Sequence, residues 1–202
     1  MVRDGIPFVL VPVIIAAIFG WFALWPVVVV FAAVAAFMAY FFRDPKRTVP
    51  QGEGLIVSAA DGRVTRIDET PDGKLVSVFL SPLNVHINRS PLAGKIAGIT
   101  YTTGKRMSAT NDAASLENER NSLVIEGEEM TVTCTQIAGI LARRIVCWPK
   151  DGDMLERGQK FGMIKFGSRT DILMPANVEL QVKIGDRVFG GETVIGKLIV
   201  NR

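Results

Sequence analysis

The chain has 202 residues, a formal net charge of +3, one histidine and two cysteines. This length fits one ordinary domain with an appendage, since domains typically hold about 100–200 residues. Cys134 and Cys147 form neither a CxxC motif nor a disulfide framework, so they are expected to be buried thiols. The small positive charge suits an anionic lipid surface, but an ordinary slightly basic protein has the same charge, and no nucleic-acid partner is expected.

The N-terminal part contains 35 consecutive uncharged residues, 8–42. A signal peptide would have an apolar core of about 7–15 residues, so this run is too long. As one helix it would span roughly 52 Å, against a bilayer core about 30 Å thick. The stretch GWFALWP, residues 20–26, interrupts it with Gly, Pro and two Trp. The sequence therefore favours a hairpin of two short membrane helices, within an anchor of residues 1–49, over one tilted or kinked span.

The charges that follow this run predict its orientation. A hairpin returns both flanks to the same side of the membrane, and Arg43, Lys46 and Arg47 stand directly after it. Basic residues next to membrane segments favour the cytoplasmic side. We therefore expect a protein of the cell membrane whose soluble part lies in the cytoplasm.

Residues 50–202 read as a β-domain. Short runs rich in Val, Ile and Thr alternate with turn signals, and no stretch of a dozen residues has a helical period. One strand should end at Ala60 and the next begin at Arg63. Hairpins are predicted around residues 71–73 and around Gly127. The polar stretch 104–121 is predicted to be a loop, either over a site or as a flexible tip.

The β-domain also contains an internal repeat. The segments GDMLERGQKFG, from Gly152, and GDRVFGGETVI, from Gly185, share Gly-Asp, an apolar residue two positions later, and a Gly followed by Gln or Glu, 33 residues apart. The pattern resembles the turns of biotinyl and lipoyl carrier domains, but no Lys stands between Met residues as a carrier lysine would. The predicted fold class is thus mainly β, a compact antiparallel barrel-sandwich-like domain behind an N-terminal membrane helical hairpin.

Three residues are candidates for chemistry. His86 alternates with apolar neighbours in a predicted strand, on its polar face, and a histidine exchanges protons near neutral pH. Asp61 stands in the Asp-Gly of SAADGRV, and Ser168 follows Gly167 between two strand-like runs. A surface histidine, a turn aspartate and a turn serine would look the same, because a triad is recognised by geometry.

Several stretches together resemble the short, single-domain form of the phosphatidylserine decarboxylase family, whose members are pyruvoyl-dependent. The stretches are AADGRV, FLSPLNVHINRSP, IAGILARRIVCW and GDMLERGQKFGMIKFGS, with FGMIKFGSRTDILMP around the Gly-Ser pair. The resemblance extends from the membrane segment to Lys197. It implies self-cleavage between Gly167 and Ser168, giving a β chain of residues 1–167 and an α chain of residues 168–202, whose first residue becomes a covalent pyruvoyl group.

The resemblance also assigns roles. Ser168 would attack the Gly167 carbonyl, with His86 as its base and Asp61 orienting the imidazole. The pyruvoyl group from Ser168 would then form a Schiff base with the serine amine of phosphatidylserine and accept electrons as carbon dioxide leaves. Longer members carry two histidines three residues apart here, and Arg89 holds the second position. His86 could therefore serve maturation, decarboxylation or both.

The implied partners are a phospholipid substrate and the membrane, with a homo-oligomer left open and no metal. Arg143, Arg144 and Arg169 are candidates for the headgroup, against the alternative of ordinary solvated or paired charges. Two other functions stay open on the sequence. One is decarboxylation of another serine-headed lipid, such as archaetidylserine. The other is a non-catalytic membrane-tethered barrel-sandwich module, whose chain would remain intact.

Overall fold

The computed structural model describes residues 1–70, 73–105, 117–139, 144–165 and 168–199. The chain forms two compact units, Met1–Lys46 and Arg47–Arg202. Of the sequence predictions, Gly167, Arg143, the turn at residues 71–72 and most of the polar stretch 104–121 lie outside the described residues.

The first unit is a helical hairpin. A short 3₁₀ turn, Arg3–Gly5, leads into α1 (Ile6–Trp21), and α2 follows at Trp25–Phe41. The helices pack antiparallel, since the Phe8 ring lies 5.1 Å from Phe42 and the Phe19 ring 6.4 Å from Phe31. The predicted break at residues 20–26 is confirmed. By length and composition Arg3–Trp21 could cross a membrane, whereas α2, with 17 residues, is shorter.

The second unit is built from antiparallel strands, which confirms the predicted fold class. In chain order the described strands are β1 (Leu55–Val57), β2 (Gly62–Thr70), β3 (Gly73–Leu80), β4 (Ile87–Arg89), β5 (Gly94–Thr102), β6 (Arg120–Glu126), β7 (Thr131–Ala138), β8 (Ile145–Cys147), β9 (Met154–Leu155), β10 (Lys160–Ile164), β11 (Ser168–Met174), β12 (Val178–Leu180), β13 (Arg187–Val188) and β14 (Val194–Leu198).

These strands form one large curled sheet and two small ones. The large sheet has the order β13-β2-β3-β11-β7-β6-β5-β9, and the small sheets are β1-β14-β12 and β4-β10-β8. Alternate residues of the large sheet point inward, and Val78, Leu123 and Ile172 are fully buried there together with Phe161 of β10. The two predicted hairpins are confirmed as β2-β3 and β6-β7, the second closed by the bond from Gly127 N–H to Met130 O.

The internal repeat is visible as two copies of one turn. Lys150 N–H donates to Asp153 Oδ2 at 2.8 Å in the first copy, and Lys183 N–H donates to Asp186 Oδ2 at 2.9 Å in the second. The turn glycines Gly152 and Gly185 have φ of 88° and 95°, which residues other than glycine rarely adopt. The sequence similarity therefore reflects a duplicated strand-turn-strand unit, as predicted.

Two local predictions about strands are wrong. β1 ends at Val57, and residues 58–61 form a buried loop before β2 begins at Gly62, because the Ser58 hydroxyl bonds Ala60 O instead of leaving the backbone extended. Residues 83–86 precede β4 and do not lie in a strand, since the chain turns at the bond from Asn84 N–H to Ser81 O. In both places, local hydrogen bonds of Ser58 and Asn84 compete with the bonds of a strand ladder.

The cysteines are both free thiols. Cys134 is buried in the core, as predicted, while Cys147 is half-buried. Burial raises the pKa of each thiol, which lowers the thiolate fraction at neutral pH and makes both poor nucleophiles.

Candidate active site

Ser168 is the first residue of β11, a central strand of the large sheet. It pairs with Leu80 on one side and with Ala138 on the other, and it is 0% exposed. Its Oγ has no hydrogen-bond partner among the described residues. The preceding strand, β10, ends at Ile164 in a different sheet. β10 and β11 therefore belong to different sheets, although they are consecutive strands along the chain.

His86 is buried next to the end of β10, with 1% of its surface exposed. The alternative of a surface histidine is therefore wrong. Ile164 N–H donates to the His86 carbonyl at 3.2 Å, which extends the β4-β10 ladder by one residue toward Ser168. His86 Nδ1 lies 3.0 Å from the carbonyl oxygen of Asn84. Because a carbonyl only accepts, Nδ1 carries the proton, and in the neutral ring Nε2 is the basic nitrogen.

The turn that presents this carbonyl is fixed by its own side chains. Asn84 Oδ1 accepts from Ser81 N–H at 2.9 Å and from the Ser81 hydroxyl at 2.7 Å. Pro82 occupies the second position of the turn, where its fixed φ is favourable. The sequence Ser-Pro-Leu-Asn thus sets the tautomer of His86, a role that a Ser-Pro-x-Asn turn signal just before a histidine could have indicated.

Asp61 is bound by an arginine. Arg47 Nη2 donates to both carboxylate oxygens of Asp61, at 2.8 and 2.7 Å, and Gly190 N–H donates to Oδ1 at 2.8 Å. The two side chains are 7% and 8% exposed. In this arrangement the hydrogen bonds of Asp61 go to Arg47 and Gly190, so the His86 ring is oriented by Asn84. From the sequence, Arg47 is interpreted only as a basic residue beside the membrane segment, and its ion pair with Asp61 is not predicted.

Glu192 completes this ion cluster. It accepts from Arg47 Nη1 at 3.0 Å and from Thr48 N–H at 2.9 Å. The Thr48 bond, followed by the Arg47 bond, lowers the pKa of the Glu192 carboxyl. Arg47 thus joins acidic groups from two distant parts of the chain, one on each side of Ser168 in sequence.

The arginines proposed for the headgroup have different environments. Arg169 is buried and pairs with Asp171 through two contacts, of 2.9 and 3.0 Å. Arg144 is exposed, and Arg143 lies outside the described residues. Of these, Arg144 has the exposure that direct contact with a lipid headgroup requires.

Three arginines and Phe79 lie in one row across four neighbouring strands next to Ser168. In register, Arg187 faces Arg63, Arg63 faces Phe79, and Phe79 faces Arg169. With strands about 4.8 Å apart, Arg63 lies about 10 Å from Arg169 along this row. Arg63 and Arg187 are exposed.

Known proteins resemble this chain over almost its whole length. The family model described as phosphatidylserine decarboxylase matches residues 34–196. The phosphatidylserine decarboxylase proenzyme of Symbiobacterium thermophilum is 46% identical over 205 residues, which cover 97% of this chain and 94% of that protein. The proenzyme of Geotalea uraniireducens is 42% identical over 204 residues, covering 96% and 95%.

These matches show that the chain is an enzyme of the lyase class, a decarboxylase. The chain belongs to the phosphatidylserine decarboxylase family. The resemblance inferred from the sequence is therefore confirmed, and the alternative of a non-catalytic module finds no support among the relatives.

Loss of the Arg47 cation should destabilise the second unit. Arg47→Met leaves the Asp61 carboxylate buried without its partner, and breaking a buried pair in this way costs about 3–5 kcal/mol. We expect a lower melting temperature by circular dichroism of the detergent-purified protein. Arg66→Met is the matched control, since its ion pair with Asp68 is about one-third exposed and is worth about 0–1 kcal/mol. If Arg47→Met and the wild type had the same melting temperature, the buried ion pair between Arg47 and Asp61 would not stabilise the second unit.

The Glu192 contact should make stability depend on pH. A carboxyl whose folded-state pKa is lowered contributes stability above its ordinary value of 4.5, and loses it as the pH falls through the folded-state value. Wild type should therefore melt above Glu192→Gln at pH 7, and the difference should vanish in acid. Glu179→Gln, which removes an exposed carboxylate, corrects for the change in net charge. A difference that is constant with pH would contradict this assignment.

Proposed function

We propose that this protein is the precursor of a pyruvoyl-dependent phosphatidylserine decarboxylase, which cleaves its own chain between Gly167 and Ser168. The observation that carries the proposal is the buried Ser168 hydroxyl at the start of β11, which has no hydrogen-bond partner among the described residues. Buried polar groups are nearly always hydrogen-bonded, so such a hydroxyl needs a reason. The proenzyme names of the relatives support a reactive role for it.

Self-cleavage would use His86 as the base. His86 Nε2 takes the hydroxyl proton of Ser168 while Oγ bonds the Gly167 carbonyl carbon, and the amide bond breaks as its nitrogen receives a proton. The resulting ester then loses the Ser168 Cα proton and its Cβ–O bond, leaving a carboxylate on Gly167 and dehydroalanine at position 168. Water replaces the nitrogen of that residue, releasing ammonia and leaving a pyruvoyl group. The proton on Nδ1, directed to Asn84, supports this assignment of Nε2.

Asp61 belongs to the proposed site as a fixed negative charge. Its oxygens accept hydrogen bonds from Arg47 and Gly190, and the hydrogen bonds described for Asp61 do not include one to the imidazole. In the arrangement described here, the orienting bond to His86 comes from the Asn84 carbonyl. We therefore assign the stabilisation of the site to Asp61 and the choice of tautomer to Asn84.

Position 168 suits a pyruvoyl group because it is buried and paired on both sides, by Leu80 and Ala138. The group would supply a carbonyl that captures the substrate amine and accepts the electron pair released with carbon dioxide. His86, protonated at Nε2, would return a proton to the substrate carbon. The burial of both residues limits the access of water to this proton.

The two chains should stay together after cleavage. Within residues 168–202, β11 pairs with β3 and β7, β13 pairs with β2, and β14 pairs with β1. All four partner strands lie in residues 1–167, so backbone ladders would hold the α chain in place of the broken peptide bond.

The proposed substrate is phosphatidylserine, because the relatives carry that name. The reaction touches only the serine headgroup, so archaetidylserine remains the alternative substrate. Initial rates of carbon dioxide release from the two lipids, measured in the same detergent, discriminate between them.

We also propose that the second unit meets the lipid surface at a basic turn, defined as Arg63, Lys183, Ile184, Arg187 and Phe189. All five are exposed, Ile184 by 61% and Phe189 by 39%, so cations surround apolar groups as at a membrane interface. In the sheet, Arg63 is two strands and Arg187 three strands from β11, whose first residue is Ser168.

The far end of the sheet has the opposite charge. Glu126, Glu128 and Glu129 line an open groove near the β6-β7 turn. Seven residues of β7, or about 24 Å, separate that turn from the residue that pairs with Ser168. An anionic bilayer would attract the end of the sheet that holds Ser168 and repel the other.

The first test asks about the Gly167–Ser168 bond. Intact-mass analysis of the purified protein under denaturing conditions should give two chains, with the α chain beginning at a pyruvoyl group. Ser168→Ala should give one uncleaved chain without decarboxylase activity, because the nucleophile is absent. Ser122→Ala is the matched control and should mature normally, since the Ser122 hydroxyl pairs with that of Thr135 at 2.9 Å. Activity retained by Ser168→Ala would exclude the pyruvoyl assignment.

The second test uses the internal repeat. Arg63→Gln/Lys183→Gln should raise the apparent KM for phosphatidylserine in anionic vesicles severalfold, since each basic residue near such a surface is worth about 1 kcal/mol. The effect should shrink on a monomeric short-chain lipid and in about 1 M salt. The control, Lys95→Gln/Lys150→Gln, removes exposed cations at the equivalent turn of the other copy. If both double variants raised the apparent KM equally, the proposal that the basic turn meets the lipid surface would be wrong.

A further inference from the structure

A buried network of polar side chains lies behind the candidate site. Asn88 Nδ2 donates to Thr170 Oγ1 at 2.9 Å and lies 3.4 Å from Ala59 O, and Gln136 Nε2 donates to Asn88 Oδ1 at 2.9 Å. Asn121 Nδ2 in turn donates to Gln136 Oε1 at 3.1 Å. Four of these side chains are at most 2% exposed: Asn88, Asn121, Gln136 and Thr170.

The orientation of the Asn88 amide follows from its partners. Its oxygen accepts from Gln136, so its NH₂ group must face Thr170 and Ala59. A chain of satisfied amides in a dry interior permits one arrangement, because flipping any member would leave buried groups unpaired. Asn88 is therefore a rigid contact point and not a mobile side chain.

Asn88 and two of its partners, Thr170 and Ala59, are each two residues away from a candidate catalytic residue. Asn88 itself follows His86, Thr170 follows Ser168, and Ala59 precedes Asp61. Alternate residues of an extended chain face the same side, so Ser168 shares the face from which Thr170 contacts Asn88. His86 continues the same ladder as Asn88, through the Ile164 bond.

This contact joins two different sheets. β4 belongs to the small sheet with β10 and β8, and β11 belongs to the large sheet, with no backbone ladder between β4 and β11 in the described part of the chain. Side chains therefore contribute to the relative position of His86 and Ser168, besides the backbone. The bond from Asn88 to Thr170 is one such link, two residues along the chain from each of them.

We propose that Asn88 is a positioning residue for self-cleavage, which acts through the Thr170 hydroxyl to hold His86 Nε2 against Ser168 Oγ. The inference rests on the proposed function. Asn88 takes no proton and touches neither reacting atom; it fixes the distance over which the proton moves. Small displacements of reacting groups are costly, since about 1 Å can reduce a rate by about a hundredfold.

The experiment follows self-cleavage of the full chain made by cell-free synthesis in detergent, sampled over time and across pH 5.5–9. Thr170→Val keeps the shape of the side chain but removes the hydroxyl, and should slow cleavage about ten- to a hundredfold. Thr170→Ser keeps the hydroxyl and loses only a methyl group, so it should cleave at nearly the wild-type rate. Thr135→Val is the control, because it removes a hydroxyl from the neighbouring strand β7.

Two further readouts separate positioning from general destabilisation. Asn88→Ala should slow cleavage to a similar degree, and Asn88→Ala/Thr170→Val should be no slower than the worse single variant, because both remove the same link. The midpoint of the pH–rate curve should match that of wild type while the plateau falls, since the base remains His86.

The outcomes distinguish failure of this inference from failure of the proposed function. An uncleaved wild type, or cleavage in Ser168→Ala, would overturn self-cleavage itself. Cleavage of Thr170→Val at the rate of wild type, in a chain that needs Ser168, would overturn the positioning role alone. Equal slowing by Thr170→Ser and Thr170→Val would also overturn it, because packing and not the hydroxyl would then matter. If Asn88→Ala does not fold, the two Thr170 variants still decide.

Discussion

The rest of the structure depends on the pairing of β11 between β3 and β7. This strand holds Ser168 at its first residue, with a ladder on each side, and both ladders would keep the residue in place after the proposed cleavage. The same pairing gives the proposed α chain its largest contact with the rest of the molecule. A bond placed where the chain leaves one sheet and enters another can break without loss of either sheet, because both ladders remain closed.

The candidate site contains an ion cluster around Arg47 and a separate imidazole, that of His86. Asp61 and Glu192 bind Arg47, so their charges are compensated and the loop at residues 58–61 is held in place. The His86 ring lies against a neutral carbonyl, that of Asn84, and not against this ion cluster. The charged groups and the imidazole thus have separate hydrogen-bond partners.

The duplicated turn shows how one fold can carry two surfaces. The copies share their Asp-capped turns and positive-φ glycines, so their backbones are equivalent. Their surroundings differ, because the second copy packs next to β2 and beside Arg63, while the first meets β5 near the acidic groove. The duplicated turns have the same backbone conformation, and the side chains of the neighbouring strands give each end of the large sheet its charge.

Sequence alone determined the membrane-like segment with its break, the β-domain, the duplicated turn and the family, because hydrophobic runs, turn residues and motifs are local in the chain. It also identified Ser168, His86 and Asp61 as candidates. Only the tertiary structure decided that Asp61 pairs with Arg47, that Arg169 pairs with Asp171, and that Asn84 and Asn88 support the site. Those contacts join residues whose partners are chosen by sheet register and burial, and a hydrogen bond across 82 positions leaves no local pattern in the sequence.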